Sequence, residues 1–253
     1  MGKKKVFAVC AHPDDIEFMM AGTLIRLQSL GYEAHYMTIA DGALGGNGLD
    51  HATLAATRMQ EAKNACKIIG AVYHPPVASD LEVFYNFETL AKVVDVMREV
   101  DPEIVLTHGP YDYMEDHVNA GRLAVSAAFS RGMGNFRTVK NPPVNTDVAV
   151  YHSLPLSLKD QLNKPIVPDF FVDVTSTIDT KKAMLNCHKT QKEWLDASQK
   201  LNAYLDDMEA RAAAMGKLSG FCRLAEGWVR HNPIGFCPED FDPLKVIANI
   251  PEK

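Results

Sequence analysis

Length, composition and charge are those of an ordinary globular protein. The chain has 253 residues, of which 47% are hydrophobic and 23% charged. This balance excludes a disordered or fibrous chain and allows a sizeable core. The formal net charge is −6, from 26 basic and 32 acidic residues, and a short basic cluster occurs only at residues 3–5, so nucleic acid is not an expected partner.

Targeting and redox signals favour a cytoplasmic protein. The apolar run after residues 3–5 is interrupted by His12, so we predict a first strand there and not a signal peptide. No apolar run approaches the ~20 residues that a membrane span needs. The five cysteines are odd in number, scattered and never spaced as C-x-x-C, which indicates neither a disulfide framework nor a cysteine zinc site.

The first half of the chain alternates strand-like and helical segments. Short apolar runs bounded by turn residues predict strands, and apolar residues at helical spacing predict helices. The predicted strands are residues 5–10, 34–39, 72–77 and 103–108, and the predicted helices are residues 15–30, 52–69, 87–100 and 116–130. Repeated strand–helix units of ~30 residues indicate an α/β, Rossmann-like fold, a mostly parallel sheet with helices on both faces.

The pattern changes beyond Arg131. A loop rich in Pro and Asn is followed by strand-like runs at residues 147–154 and 169–175, a long polar helix from about 178 to 215, and a tail punctuated by Pro. No repeat, low-complexity tract or linker separates this part from the first. We therefore expect one domain over residues 1–253, with a Rossmann-like core (1–130) and a C-terminal elaboration (131–253).

Polar residues with catalytic potential follow the first and fourth predicted strands. "AHPDD" places His12, Asp14 and Asp15 after the first strand, and "THGPYDYMEDH" ends at His117 after the fourth. Ligands of open parallel sheets gather at the carboxyl ends of the strands. A catalytic zinc commonly takes three His or carboxylate ligands, a count that His12, Asp15 and His117 satisfy. Asp14 would then be free to take a proton from water, as a hydrolytic site needs.

Two other interpretations of these residues stay open at this point. Asp14 or Asp15 could simply cap the helix that follows, because acidic residues are favoured at helix N-termini. A dinucleotide site is the second alternative, but bulky and acidic residues replace G-x-G-x-x-G after the first strand, which argues against it. "GALGGNG" follows the second strand and is more typical of a flexible loop at the rim of a site.

The motifs resemble those of a known family, the PIG-L/LmbE-like zinc-dependent deacetylases that act on N-acetylglucosamine-type substrates. "AHPDDIE" is similar to the first motif of that family, and "DYMEDH" to its second, usually H-x-D-H. Weaker similarity extends through "RMQEAKNACKIIG", "KKAMLNCHKTQ" and "AEGW", so the resemblance covers roughly residues 5–230. The first motif is specific, and the later ones are supportive.

The resemblance implies a Rossmann-like fold and a role for each matched residue. It implies that zinc, or another divalent ion, is held by His12, Asp15 and His117. It implies that Asp14 is the general base and that Asp116 supports catalysis as the partner of a metal ligand.

The second motif departs from the family pattern. Many members have a His thought to protonate the leaving amine or stabilise the oxyanion where this chain has Met114, and a thioether cannot transfer a proton. Either Asp14 carries the proton in both directions, or His188 or Tyr113 supplies it. His188 and Arg58 are also expected substrate contacts. The plain alternatives are a core or surface histidine and an arginine in a helix salt bridge.

The activity implied by the resemblance is hydrolysis of the N-acetyl amide of an N-acetylated amino sugar or sugar conjugate, a small-molecule substrate. An amidase acting on a thiol–sugar conjugate and a non-catalytic sugar-binding relative are the alternatives. Asp14 argues against the latter, because a binding module needs no base. Relatives commonly assemble, so a homo-oligomer is also expected. Specificity is expected in the loops at residues 42–50, 108–115 and 131–146.

Overall fold

One mixed sheet runs through the computed structural model, which describes residues 3–46, 48–136, 140–199 and 204–249. Its order is β3-β2-β1-β4-β5-β7-β6-β8. The strands are β1 (Lys5–Cys10), β2 (Glu33–Thr38), β3 (Val72–His74), β4 (Ile104–His108), β5 (Ala149–Ser153), β6 (Phe170–Asp173), β7 (Ala225–Arg230) and β8 (Ala248–Asn249). The strands from β3 to β5 in that order are parallel, and the later pairs are antiparallel. The predicted α/β class is therefore confirmed.

Helices cover both faces of this sheet. They are α1 (Asp15–Met19), α2 (Ala21–Ser29), α3 (His51–Ile69), α4 (Phe87–Val100), α5 (Glu115–Ser130), α6 (Ile178–Leu185), α7 (Lys189–Gln199) and α8 (Tyr204–Ser219), with short 3₁₀ turns at Thr175–Thr177 and Pro243–Val246. Among the described residues, no helix has the length and apolar character to cross a membrane.

Alternate residues of β1 enter two separate cores. Val6 and Ala8 face the core shared with α2, α6 and α8, whereas Phe7 and Val9 face the core shared with α4 and α5. All four side chains are fully buried. Complete burial of a Val or Phe side chain stabilises a fold by about 1.5–3 kcal/mol, so β1 is held firmly in the middle of the molecule.

The sheet register brings two loops together. β1 pairs in parallel with β4, with Val9 opposite Thr107. Both strands therefore end at the same edge, and the segment after Cys10 lies beside the segment after His108. This edge carries both motifs singled out in the sequence.

Local capping explains why α3 and α4 were predicted within a residue of their bounds. Asp50 accepts a hydrogen bond from the amide of Thr53 at the start of α3, and Gly70 ends that helix with a φ of 64°. Asn86 accepts from the amide of Thr89 at the start of α4. These caps satisfy amides at the helix starts, and the left-handed backbone of Gly70 suits a residue without a Cβ.

The single helix predicted over residues 15–30 is instead two helices, broken at Met20. The carboxylate of Glu226 accepts hydrogen bonds from the amides of Gly22 (2.9 Å) and Thr23 (2.7 Å) in the first turn of α2. A Cβ on Gly22 would lie 2.5 Å from Val174, so only glycine fits this approach. A partner 204 residues away in the chain therefore defines the start of α2.

The C-terminal elaboration also differs from the prediction. The polar helix predicted from 178 to 215 is α6, α7 and α8, and residues 200–203 of that prediction lie outside the described residues. The segment containing "AEGW", to which we assigned no strand, is β7, inserted antiparallel between β5 and β6. The third predicted strand ends at His74, three residues early. Because β4 of the core pairs with β5 of the elaboration, we propose that residues 1–253 form one domain.

Candidate metal centre

The loop after β1 turns tightly into α1 and presents its polar side chains at the sheet edge. The backbone amide of His12 donates to Oδ2 of Asp15 at 2.7 Å, which closes the turn. Asp14 has a φ of 109°, a left-handed conformation that non-glycine residues rarely adopt. Such conformations cluster at functional sites, and this one directs Asp14 and Asp15 from adjacent positions into the same region.

Helix α5 brings His117 to the same point. Nε2 of His117 lies 3.4 Å from Oδ1 of Asp15, and Nδ1 of His12 lies 3.5 Å from Oδ2 of Asp15. One ligand atom from each of the three residues lies within 4.8 Å of the other two. The structure therefore brings together the three residues that the sequence analysis assigned to a metal ion.

The outward-facing nitrogen of each imidazole contacts a second carboxylate. Nε2 of His12 lies 3.0 Å from Oδ2 of Asp116, and Nδ1 of His117 lies 3.0 Å from Oδ2 of Asp112. Metal-binding histidines commonly donate their other N–H to a carboxylate, which fixes the ring and its tautomer. With its outer nitrogen turned to a carboxylate, each ring can present its inner nitrogen to a metal ion, and two imidazoles with one carboxylate are a donor set that fits Zn²⁺.

The electrostatics of this cluster favour positive charge between its members. Burial lowers the pKa of His12, but Asp116 and Asp15 outweigh it and raise that pKa to about 9. Burial likewise opposes the rise in the pKa of His117, which Asp15 and Asp112 bring to about 10. Although burial raises the pKa of Asp15, the neighbouring imidazoles hold it well below its usual value. A divalent cation would supply the positive charge that these carboxylates attract.

A second group of potential ligands overlaps the first. His108, Asp112 and His117 also have ligand atoms within 4.8 Å of one another. The rings of His108 and His117 are stacked, however, with centroids 4.1 Å apart and planes inclined by 14°. A metal ion lies close to the plane of each imidazole that binds it, and stacked rings do not share such a point. Nε2 of His108 instead accepts from the amide of Ala11 at 3.0 Å.

Asp14 lies beside the candidate ligands, in contact with a phenol and a guanidinium. The hydroxyl of Tyr204 donates to Oδ2 of Asp14, and Nη2 of Arg58 lies 3.9 Å from Oδ1. Burial raises the pKa of Asp14 to about 6, although Arg58 opposes the rise. A carboxyl group with a pKa near neutrality is suited to accept and return a proton.

Arg58 is buried and lines the cavity, unlike the exposed salt-bridge residue considered as its alternative. Its guanidinium donates to the carbonyls of Gly42 (2.8 Å) and Pro13 (2.9 Å), and its side chain is 3% exposed. A Cβ on Gly42 would lie 2.8 Å from the guanidinium. Arg58 therefore joins the glycine-rich loop to the first motif as well as facing the cavity.

His188 does not line the cavity, contrary to the expectation that it contacts the substrate. It is fully buried, and its Nε2 lies 3.1 Å from Oε1 of Glu17. Two residues later, the amide and hydroxyl of Thr190 both donate to Glu61. The third and fourth sequence motifs therefore meet each other, and together they attach α7 to α3.

The cavity in front of the cluster has a volume of about 730 Å³. Tyr113 and Met114 lie at one side, and Gln191, Trp194 and Tyr204 from α7 and α8 lie in its wall. Four carboxylates, those of Asp14, Asp15, Asp80 and Asp207, and one guanidinium, that of Arg58, line it among the described residues.

Sequence reasoning missed several residues of this site. Asp112 lies within the quoted "THGPYDYMEDH" but was given no role, and Asp80 and Tyr204 were not named at all. Asp80 accepts from the amides of Gly42 (2.7 Å) and Leu44 (3.0 Å), which fixes the glycine-rich loop at the cavity. One signal could have revealed Asp112. It lies five residues before His117, in the loop that leads into α5, whereas His117 lies in the first turn of that helix.

Comparisons with known proteins place the chain in a family. The PIG-L family, described as GlcNAc-PI de-N-acetylase, matches residues 7–128. The chain is 30% identical over 250 residues to a diacetylchitobiose deacetylase of Thermococcus kodakarensis, across 93% of this chain and 86% of that protein. It belongs to the PIG-L family.

The chain is also similar to a hydratase in sequence and to a solved deacetylase in structure. The chain is 28% identical over 204 residues to a 4-oxalmesaconate hydratase of Pseudomonas putida, covering 75% of each protein. Its structure is similar to that of the N,N'-diacetylchitobiose deacetylase of Pyrococcus horikoshii, with a TM-score of 0.77, 22% identity, and coverage of 94% of this chain and 88% of the other. The resemblance to PIG-L/LmbE-like deacetylases is confirmed by the family match and by the relative from Thermococcus kodakarensis.

Proposed function

We propose that this PIG-L family protein is a zinc-dependent hydrolase that removes the N-acetyl group from an N-acetylated amino sugar or sugar conjugate. The observation that carries the proposal is the convergence of His12 and His117 on Asp15, with Asp14 beside them at the cavity. The deacetylase relatives support it. We assign metal binding to His12, Asp15 and His117, and the role of general base to Asp14.

The chemistry divides between the metal and the chain. Zinc, when bound, would polarise the amide carbonyl and lower the pKa of water to ~7. Asp14 would take the proton that water loses as it attacks the carbonyl. Asp116 would hold the ring of His12, as Asp112 holds that of His117, so that the ligands do not reorient during turnover.

Because position 114 is a methionine, another residue must supply the proton that the leaving amine takes up. Its thioether has no proton to give, and His188 does not reach the cavity. Asp14, whose pKa is about 6, would therefore return the proton it took from water. Tyr113 also lines the cavity, but burial raises its pKa, which makes its phenol a poor acid.

The cavity wall suits a neutral sugar. Trp194 and Tyr113 offer aromatic faces, and Gln191 offers an amide that can bond to hydroxyls. Pockets of this kind combine apolar surface with a few polar groups that orient the ligand. We infer that Arg58, already fixed by backbone carbonyls, contacts the acetamido end of the substrate near the metal.

The relative named as a hydratase suggests addition of water to a carbon–carbon double bond as a second function. Even with a divalent ion in place, the four carboxylates that line the cavity against one guanidinium leave it no excess of positive charge to attract an anionic substrate. That guanidinium already donates to two backbone carbonyls. A neutral amide fits this balance better than a dicarboxylate or tricarboxylate does.

Acetate release tests the proposal directly. Zinc-loaded protein would be incubated with N-acetylglucosamine, its glycosides, chitooligosaccharides and N-acetylated thiol–sugar conjugates, and the products identified by mass. Free amine and acetate in equal amounts are expected, and chelator-treated protein should release neither. A different acid product would establish the amidase alternative. Binding of amino sugars without hydrolysis across the set would establish the non-catalytic one.

The ligand assignment has its own test. His12→Ala and His117→Ala should lose bound zinc by elemental analysis, whereas His51→Ala, which changes an exposed histidine, should retain it. Unchanged zinc content in both ligand variants would contradict the assignment.

Three further expectations from the sequence stay predictions: zinc as the ion used in the cell, a cytoplasmic location and a homo-oligomer.

A further inference from the structure

The C-terminal helix α8 contributes a residue to the candidate catalytic centre. Tyr204 is the first residue of α8 and lies outside the matched residues 7–128. Its hydroxyl donates to Oδ2 of Asp14, 190 positions away in the chain. Both residues are buried and line the cavity. The contact therefore connects the elaboration to the loop that bears the candidate base.

The geometry around Asp14 shows why such a contact matters. Asp14 is the N-cap of α1, but its carboxylate accepts no hydrogen bond from the amides of that helix, so the helix does not fix its rotation. Nη2 of Arg58 lies 3.9 Å from Oδ1, and the guanidinium donates its hydrogen bonds to the carbonyls of Gly42 and Pro13 instead. Tyr204, in contrast, donates directly to Oδ2.

The phenol is itself held in place. The ring of Tyr204 packs against that of Phe18, with centroids 5.8 Å apart, and Phe18 belongs to α1. Burial and the adjacent Asp14 raise the pKa of Tyr204, so the hydroxyl keeps its proton and remains a donor. Replacing Tyr204 by Phe would keep the ring contact and remove only the hydroxyl.

We propose that Tyr204 is a positioning residue that fixes the carboxylate of Asp14 at the cavity through its hydrogen bond to Oδ2. The proposal rests on the proposed function, in which Asp14 moves the proton. A base held in one orientation serves both proton transfers, whereas a rotating carboxylate would spend part of its time turned away. Because Met114 supplies no acid, Asp14 carries both transfers, and its orientation affects each of them.

Steady-state kinetics of zinc-loaded Tyr204→Phe test the role. Misplacement of a catalytic group by about 1 Å can cost ~100-fold in rate, so we expect kcat to fall by about 10- to 100-fold. KM should stay within about threefold of the wild-type value, and zinc content should be unchanged. Tyr32→Phe is the matched control, because its buried phenol donates to Glu103 at 3.3 Å, away from the cavity. Its kcat should match that of the wild type.

A second measurement does not depend on turnover. The unfolding midpoint of metal-free protein would be compared for Tyr204→Phe in the wild-type chain and in Asp14→Gly, where glycine accommodates the φ of 109°. Loss of the hydrogen bond should lower the midpoint by about 3–10 °C in the wild-type background. In Asp14→Gly, which lacks the acceptor, the same substitution should lower it by less than half as much.

These outcomes separate the possible failures. An unchanged kcat in Tyr204→Phe would overturn the positioning role. A rise in KM that accounts for the whole loss of kcat/KM would also overturn it, because it would indicate that Tyr204 contacts the substrate directly. Equal midpoint shifts in both backgrounds would overturn the contact with Asp14. If the wild-type protein releases no acetate from any substrate, the proposed function fails, while the unfolding comparison still decides whether Tyr204 holds Asp14.

Discussion

Asp112 contacts His117 on the side of the imidazole opposite Asp15. Oδ2 of Asp112 lies 3.0 Å from Nδ1, and Oδ1 of Asp15 lies 3.4 Å from Nε2. One ring nitrogen is thus occupied by a carboxylate while the other faces the candidate metal position. The orientation and basicity of His117 therefore depend on Asp112.

We predict that Asp112→Ala weakens zinc binding about 10- to 100-fold, the usual effect of removing a carboxylate that orients a metal-binding histidine. Competition with a chromophoric chelator would measure the zinc dissociation constant. Asp112→Asn retains an acceptor of similar size and should show a smaller loss. A dissociation constant unchanged in Asp112→Ala would show that His117 does not need this partner to bind zinc.

The proximity of the three candidate ligands could be predicted because it depends on local sequence and a simple fold rule. His12 and Asp15 lie three residues apart in one turn, and His117 follows a strand that pairs with β1. Once a parallel sheet was inferred, the carboxyl ends of both strands were expected at the same edge of the sheet, and the pairing of β1 with β4 makes them neighbours. Helices α3 and α4 were predictable for a similar reason, because the signal is local. Each N-cap side chain accepts a hydrogen bond from an amide only three residues later in the chain.

The features that escaped prediction depend on contacts distant in the chain. Glu226 defines the start of α2 from 204 residues away, and Tyr204 reaches Asp14 across 190. Neither contact leaves a periodic signal in the sequence. β7 was missed because it is short and its neighbours, β5 and β6, lie far from it in sequence. His188 stands between polar residues in the sequence, yet the packing of α6 and α7 buries it against Glu17.

Removal of the proposed base should separate turnover from metal binding. Asp14→Asn keeps the size of the side chain and can still accept from Tyr204, but it cannot take a proton at neutral pH. We expect kcat to fall by about 10²- to 10⁴-fold, the usual contribution of general acid–base catalysis, with zinc content unchanged. Acetate release and elemental analysis on the same preparation measure both quantities. Wild-type turnover in this variant would refute the assignment of Asp14.

The buried pair of Lys181 and Glu226 should be important for stability. Nζ of Lys181 lies 2.5 Å from Oε1 of Glu226, both side chains are almost fully buried, and Glu226 also accepts from two amides of α2. Breaking a buried pair leaves an uncompensated charge and costs about 3–5 kcal/mol. Glu226→Gln should therefore lower the free energy of unfolding in urea by about that amount.

A compensating substitution provides the control for this prediction. Lys181→Met removes the charge that Glu226→Gln leaves without a partner, so the double variant should be more stable than the sum of the two single losses. Strictly additive losses would show that the two side chains act independently and that Glu226 stabilises the fold only by capping α2.

Acidification should destabilise the protein through two buried histidines that do not belong to the candidate metal ligands. Burial, with the adjacent His35, lowers the pKa of His74 to about 4. Burial also lowers the pKa of His152 to about 4, with His231 2.9 Å from its ring. In the unfolded chain a histidine has a pKa of about 6.5. Between these values the unfolded state binds more protons, so the free energy of unfolding falls as pH falls from about 6.5 to 4.

The size of this effect can be measured by difference. At pH 5 each histidine should contribute about 1–2 kcal/mol of destabilisation relative to pH 7. Urea unfolding of metal-free wild type and His74→Gln at both pH values measures the contribution of His74 with that of His35, which contacts it at 3.0 Å, because the other titrating groups, including Glu33, are common to both proteins. The variant should lose less stability on acidification than the wild type. An equal loss in both proteins would mean that the ring of His74 is protonated as readily in the folded protein as in the unfolded chain.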